Sequence, residues 1–429
     1  MRQLAHRTPF FYGWTILSAA GASMFVRNAL GSLTLAVFVY PISQELGWSR
    51  TLIGGAASLG GLLSIIGAPP VGWAVDRFGA RQVLTIAVLL LGLSTMSLAW
   101  ATTPLAFYLA YGLGRVLFTG PIPIGASVVV ARWFVRKRGR ATGILAFGHA
   151  GGMILFPAIA SLVIQQRGWQ EAWFVMGILV LVIALAPVAL FIIQRPEDVG
   201  LVPDGGQLSG IESGEVGSPA RPGHREPMWS LRQAIRTPAL WMLALATGSV
   251  YFIQSGTNLH QGAYFVDQGL SKATADIAII LSAVGAAFGA LAWGWMSEKI
   301  PVRFVFAGVA LLMAVSIALF VRVDTAAEAY GYAFLFGAAV GGIIVVPPIA
   351  YADYFGRQSL GAIRGVTEPF VALGQAIGSV LSGVVYDITG TYQGAFLAYA
   401  ALGAGVILLL LLAKPPQANT IAAEVRIPS

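Results

Sequence analysis

Gly72-Trp73-Ala74-Val75-Asp76-Arg77-Phe78-Gly79-Ala80-Arg81 is a charged turn set between two apolar runs. A weakened copy, Gly294-Trp295-Met296-Ser297-Glu298-Lys299-Ile300-Pro301-Val302-Arg303, follows 222 positions later (294 − 72). Ser49-Arg50 is echoed by Ser271-Lys272 at the same offset. Ala131 to Arg136 is echoed by Ala352 to Arg357 at 221, and Gly168-Trp169-Gln170 by Gly390-Thr391-Tyr392-Gln393 with one residue inserted. Each echo falls at the same loop of its half, so the chain reads as a duplication. In each copy a glycine allows close approach of two helices, and the acid and base that follow form a charge latch at a helix end.

Residues are 57% hydrophobic and 10% charged, against roughly 25% charged in a soluble domain. A water-soluble core of this length has no means of hiding so much apolar surface, so the bilayer is the solvent. The 52 glycines suit helices packed closely in lipid, where small residues replace the hydrophobic driving force. Zero cysteines exclude a disulfide framework, thiolate metal sites and a cysteine nucleophile. The apolar stretch after Phe10 is long enough to span, and it reads as a retained first helix rather than a cleaved signal.

Windows of about 20 apolar residues predict twelve spans: 13–39, 51–74, 82–101, 105–131, 141–165, 171–193, 239–264, 274–297, 302–322, 327–352, 361–385 and 393–413. The domain reading is a six-helix bundle over 1–193, a cytoplasmic linker over 194–238, a second bundle over 239–413 and a tail over 414–429. The glycine- and proline-rich linker is expected to be mostly disordered, with a short amphipathic helix near Met228 to Ile235. With both termini in the cytoplasm, about 20 of the 26 Lys and Arg residues fall on cytoplasmic segments. Arg50, Arg167, Lys272 and Arg322 fall outside, and Arg27 and Arg115 lie inside spans. The net charge of +8 is thereby explained as topology, with no nucleic-acid partner.

Two six-helix halves in one orientation are the arrangement of the major facilitator superfamily, which this chain resembles over its whole length. Gly72 to Arg81 resembles that family's G-x-x-x-D-R-x-G-x-R loop motif, with Ala80 where a base is usual. Arg115 with Gly120 is similar to its fourth-helix R-x-x-x-x-G element. Phe11-Tyr12-Gly13-Trp14, Leu46-Gly47-Trp48-Ser49-Arg50, Trp133-Phe134 with Arg138-Gly139, and Asp387-Ile388-Thr389-Gly390-Thr391-Tyr392 resemble the oxalate/formate and monocarboxylate transporter branch. The resemblance implies an all-α membrane fold whose first, fourth, seventh and tenth helices line a central cavity, and transport of small organic anions, often with protons. The arginine this branch often carries in its eighth helix is missing, as is the eleventh-helix lysine of oxalate exchangers. The eighth span here offers Asp276 and Ser282, and the eleventh Arg364 and Glu368.

An arginine at mid-bilayer costs about 2.5 to 3.5 kcal/mol on insertion scales, so it calls for water, an anion or a protein acceptor. Arg27 and Arg115 both fall near the midplane by helical rise. They read either as guanidinium forks for a carboxylate or as donors to carbonyls of kinked neighbours such as the Pro121 and Pro123 region. Pairing with Glu368 is a further possibility. Gln254, Asn258, Gln261, His260 and Tyr264 give the seventh span a polar outer half. Gln254, Asn258 and Tyr264 are expected to touch substrate, with interhelical contact as the alternative.

His149 and Glu368 lie at similar depth and are the candidates for proton coupling. Arg364, four residues before Glu368, reads as its local partner. The latch set is Gly72, Asp76, Arg77, Gly79 and Arg81, with Asp76 accepting from the first amides of the eleventh helix and from Arg136 or Arg138. The first copy is expected to be the working latch and the second a relic.

Walker sequences, HExxH and a serine, histidine and acid set in one aqueous site are absent from the chain, so enzymatic chemistry, a metal and a cofactor are not expected. The expected function is secondary, proton-coupled transport of a monocarboxylate-like anion by a monomer in a bacterial inner membrane. Alternatives are an exporter of amphipathic or xenobiotic compounds and a non-transporting sensor of the same fold.

Overall fold

The computed structural model describes residues 10–205 and 227–416. The linker residues 206–226, the middle of the segment expected to be disordered, and the tail residues 417–429 lie outside the described residues. Twelve long helical passages run through the described residues: α1 Gly13–Leu46, α2 Arg50–Phe78, α3 Ala80–Trp100, α4 Pro104–Trp133, α5 Arg138–Arg167, α6 Trp169–Phe191, α7 Pro238–Asp267, α8 Lys272–Ser297, α9 Val302–Phe320, α10 Ala326–Phe355, α11 Leu360–Thr389 and α12 Gln393–Leu412. Eleven are long and apolar enough to cross a membrane. The remaining one is the 30-residue α7, whose polar C-terminal half dilutes its apolar character. The passages bear out the expected spans, most ends falling within four residues of those expected, and polar caps such as Ser49, Thr103, Thr237, Ser271 and Thr325 start helices one or two residues outside the apolar run.

Two passages break at mid-membrane. In α1 the helix tightens into a 3-10 turn at Arg27–Leu30 and restarts after Gly31, whose backbone is extended. In α4 Gly120 departs from helical geometry, and Pro121 and Pro123, which carry no N–H, follow it. In lipid a broken helix must re-satisfy its carbonyls from side chains, and the side chains that do so here include the two intramembrane arginines, Tyr111 and Thr34.

Each half has its own aromatic core. Phe38 stacks on Trp173 at 3.7 Å between centroids in the first, and Phe265, Phe320, Phe336 and Phe396 interlock in the second. Glycine seams bring helices into backbone contact, as at Gly152 and Gly341: a methyl group there would strike the Phe25 and Ala286 carbonyls, respectively. The ends of the linker are ordered. Pro196–Val199 and Pro203–Gly205 form 3-10 turns, and Leu231–Ala234 is one helical turn held by a Ser230 and Gln233 capping box.

Candidate functional site

The two halves lock together at the face where α2 ends and α11 begins. A methyl at Gly72 would collide with the Gly361 carbonyl of α11, and one at Gly294 with the Gly139 carbonyl of α5. Those two contacts are the same contact in the two repeats, since 361 − 139 = 222. On the first seam Asp76 accepts from the Gly361 and Ala362 amides at 3.2 and 2.7 Å, at the N-terminal end of α11, where partial positive charge gathers. Its Oδ1 also pairs with Arg132 at 2.8 Å, and Arg132 is 1% exposed.

The arginine partner differs from the expected Arg136 or Arg138. Arg132, at the end of α4, faces the seam, whereas Arg138 turns to Asp353 of α10 in the other half. Arg136 contributes its backbone amide, which Asp204 accepts together with those of Val135 and Lys137. Asp204 was not legible in the sequence because its role depends on a loop fold 67 or more residues away. Arg77 is exposed and has no ion pair among the described residues, so it does not belong to the seam. Arg81 donates to the Ala189 carbonyl at 2.8 Å and ties α3 to α6 within the first half. Gly79 takes φ +94°, a turn conformation that side chains resist, between α2 and α3.

The second copy is engaged rather than a relic. Glu298 accepts from the Arg140 backbone amide and side chain, both at 2.8 Å, which repeats the Asp76 to Ala362 contact 222 positions on (362 − 140). Asp353 occupies the place of Arg132, and the bridge there runs from Arg138 to it with polarity reversed. The paired echo of Ala131 to Arg136 with Ala352 to Arg357 carried this signal as a charge exchange between 132 and 353. Arg357 adds a third link, donating to the Arg132 carbonyl at 2.8 Å and to Glu197 at 3.3 Å.

At the breaks in α1 and α4, Arg27 donates to the Phe118 carbonyl at 3.0 Å, and Arg115 to the Leu30 carbonyl at 3.4 Å. Both guanidinium groups lie over the Phe118 ring, at 4.5 and 4.6 Å from its centroid. Arg27 also faces both ring nitrogens of His149, at 3.4 and 3.2 Å, and Asn28 closes on Nδ1 at 2.9 Å. His149 is thus packed into an α1–α5 contact at 8% exposure. From the second half, Glu368 and Tyr251 come within electrostatic range of Arg27, and Arg364 pairs with Glu368 at 2.8 Å. Phe118, Asn28, Tyr251 and Tyr351 belong to this cluster although no local pattern marked them.

The polar residues of α7 divide. Gln254 is partly exposed and Asn258 exposed, with Asn258 accepting from Gln261 at 3.1 Å. Tyr264 is fully buried against Phe396 at 5.0 Å between centroids. It therefore packs inside the second half, because its turn of α7 points at α12. Tyr264→Phe is expected to leave the KM for a transported substrate within about twofold, since burial of the ring dominates; a larger change in uptake would return Tyr264 to the site.

A duplicated twelve-helix membrane carrier, its halves latched at one face and charged residues gathered at the breaks between them, is the class that this fold and site define. The major facilitator superfamily profile matches residues 16–271 and 257–428, and the chain belongs to that family. Among its relatives are the membrane sensor protein UhpC of Salmonella typhimurium, 25% identical over 79% of this chain and 77% of that protein. Monocarboxylate transporter 11 of Mus musculus is 26% identical over 90% of this chain and 84% of that protein. The fold matches the proton:xylose symporter XylE with a TM-score of 0.73 at 15% identity, covering 93% of this chain and 95% of the other.

Proposed function

We propose that this chain is a secondary active transporter that moves a small organic anion of the monocarboxylate kind by alternating access, in symport with protons. The observation that carries the proposal is the pair of guanidinium groups over Phe118, one from each broken helix. Arg115 Nε is buried without a hydrogen-bond partner among the described residues, so the pair retains donors that a carboxylate satisfies. Relatives named as monocarboxylate transporters support the same class. The two bundles, over 1–193 and 239–413, rock as bodies around the site, with both termini in the cytoplasm of a bacterial inner membrane and the chain working as a monomer. Arg27, Arg115, Gln254 and Asn258 bind the anion, and Glu368 is the coupling group. His149 orients Arg27, one of its two ring nitrogens accepting from the guanidinium.

The test is uptake into proteoliposomes of labelled formate, acetate, lactate, pyruvate and oxalate under an imposed proton gradient. Accumulation of at least one acid that collapses with the gradient is the expected result. No acid moved, with dye extruded instead, would make the chain an exporter of amphipathic compounds. The sensor relative favours one further reading, ligand affinity without flux, and the same vesicles read it out through binding of the labelled acids.

A further inference from the structure

Both seams meet in the short loop 134–137, which joins Trp133 at the end of α4 to Arg138 at the start of α5. Arg132, just before the loop, pairs with Asp76 on the first seam. Arg138 and Arg140, just after it, reach Asp353 and Glu298 on the second. A change in the shape of this loop therefore moves an arginine in each seam at once. Val135, Arg136 and Lys137 turn three consecutive amides toward one point at the N-terminal end of α5, where partial positive charge gathers. Asp204 fills that point. Its Oδ2 accepts from Val135 and Arg136 at 3.1 and 2.7 Å, and its Oδ1 from Lys137 at 3.1 Å.

The segment that presents Asp204 follows α6 and is tightly folded: Pro196–Val199 and Pro203–Gly205 form 3-10 turns, and Gly200 reverses the chain at φ +75°. Asp204 itself takes φ +61°, the only positive value outside glycine among the described residues. Left-handed backbone costs an L-residue about 1 to 2 kcal/mol, less for Asp than for most, and it persists where surrounding contacts over-determine it. The same segment also reaches the second half, since Glu197 pairs with Arg357 at 3.3 Å. Arg195, at its start, lies within electrostatic range of both Asp76 and Arg132.

We infer that Asp204 is the positioning residue that shapes loop 134–137 for both latches, so that the two seams close as one unit. With its carboxylate in place the three amides are satisfied in one loop shape, and that shape carries Arg132 into the first seam and Arg138 with Arg140 into the second. Without it the amides at a helix end lose their acceptor. The loop then has several shapes of similar energy, and closing either seam carries an added entropy cost. The inference goes beyond the transport reading and is independent of the substrate, because it concerns only the closing of the latched face.

The chain has no cysteine, so a pair of spin labels reports that closing directly. Cysteines replacing Gln82 and Phe304, both exposed in the first turns of α3 and α9, sit at equivalent places in the two halves (304 − 82 = 222). Their separation is measured by pulsed electron paramagnetic resonance on the full-length protein in lipid nanodiscs without substrate. Asp204→Gly removes the carboxylate and leaves a residue that takes positive φ freely. It is expected to raise the ratio of long to short distances about tenfold, the scale of one hydrogen bond to a charged group. Arg132→Gln and Glu298→Gln are each expected to raise the ratio about tenfold alone but less than about threefold further in the Asp204→Gly background, since the loop has already released those contacts. A ratio unchanged by Asp204→Gly, whether or not the melting temperature falls, would overturn the inference. So would full multiplication of its effect with that of either latch variant, which marks independent contacts. Should Asp204→Gly fail to fold, Asp204→Asn keeps a carbonyl acceptor and tolerates the left-handed backbone, and a rise of about threefold is expected; an unchanged ratio again counts against the assignment. Because no substrate is present, a wild type that moves no acid in vesicles leaves this result standing, and the two readings fail separately.

Discussion

Arg115→Ala is expected to reduce uptake of the transported acid by about 100-fold or more, because two charge-assisted hydrogen bonds at roughly 1.5 to 3 kcal/mol each are lost from the site. The fold is expected to survive, and the reason is the sparse use the protein makes of this side chain. Arg115 has one long bond to the Leu30 carbonyl, at 3.4 Å, and Tyr111 donates to that same carbonyl at 3.1 Å. Leu30 therefore keeps a donor when Arg115 is removed. Arg27 is different, since its guanidinium also holds the Phe118 carbonyl and His149, and its loss would mix structural with functional damage. Uptake in vesicles and melting temperature in detergent, measured on one preparation, separate the two. Unchanged uptake would take Arg115 out of the site.

Asp76→Ala is expected to slow turnover by about 10- to 100-fold while leaving substrate affinity within about threefold, since removing one partner of a buried ion pair costs on the order of 3 to 5 kcal/mol in the state that contains it. That state is the one seen here, with the latched face closed. Asp76 is the hub of its seam: it holds two α11 amides and Arg132 at once. Arg132 Nε and Nη1 already have no hydrogen-bond partner among the described residues, so a lost carboxylate leaves the guanidinium nearly unsupported. The equilibrium shifts toward the form open at the latched face, and return becomes rate-limiting. The chain has no cysteine, which gives a direct readout: a cysteine replacing Gln254 should be alkylated more slowly from the opposite side when Asp76 is alanine. Equal losses in affinity and turnover would argue that Asp76 does something other than latch.

The parts of the site that were legible in the sequence were those written into a single helix or into the repeat. Arg27 and Arg115 stood out because charge at mid-bilayer is costly, and both guanidinium groups gather over Phe118 at the helix breaks. Asp76 on the first amides of α11 followed from helix polarity plus the family motif. The identity of its arginine did not follow, because Arg132, Arg136 and Arg138 lie within seven positions and the bend after Trp133 decides which of them faces the seam. The engaged second latch was obscured by Ile300 and Pro301 in place of the glycine-containing turn. Glu298 needs only its own carboxylate and the exposed Arg140 amide, so the missing glycine did not matter.

Sequence by itself determined the solvent, the number and approximate length of the spans, the duplication and the kind of latch at the helix ends. Each of these rests on runs of apolar residues, on offsets or on charges local to a helix end. Only the tertiary structure decided which side of each helix meets its neighbours. In a bilayer the lipid-facing and bundle-facing sides are both apolar, so periodicity holds little information about rotation. Hence Tyr264 turned inward to Phe396, and Arg364 came to lie buried against Tyr351 with two donors that have no hydrogen-bond partner among the described residues. The same uncertainty in rotation separated Arg132 from Arg138, and it was resolved by glycine contacts between helices hundreds of residues apart in the chain.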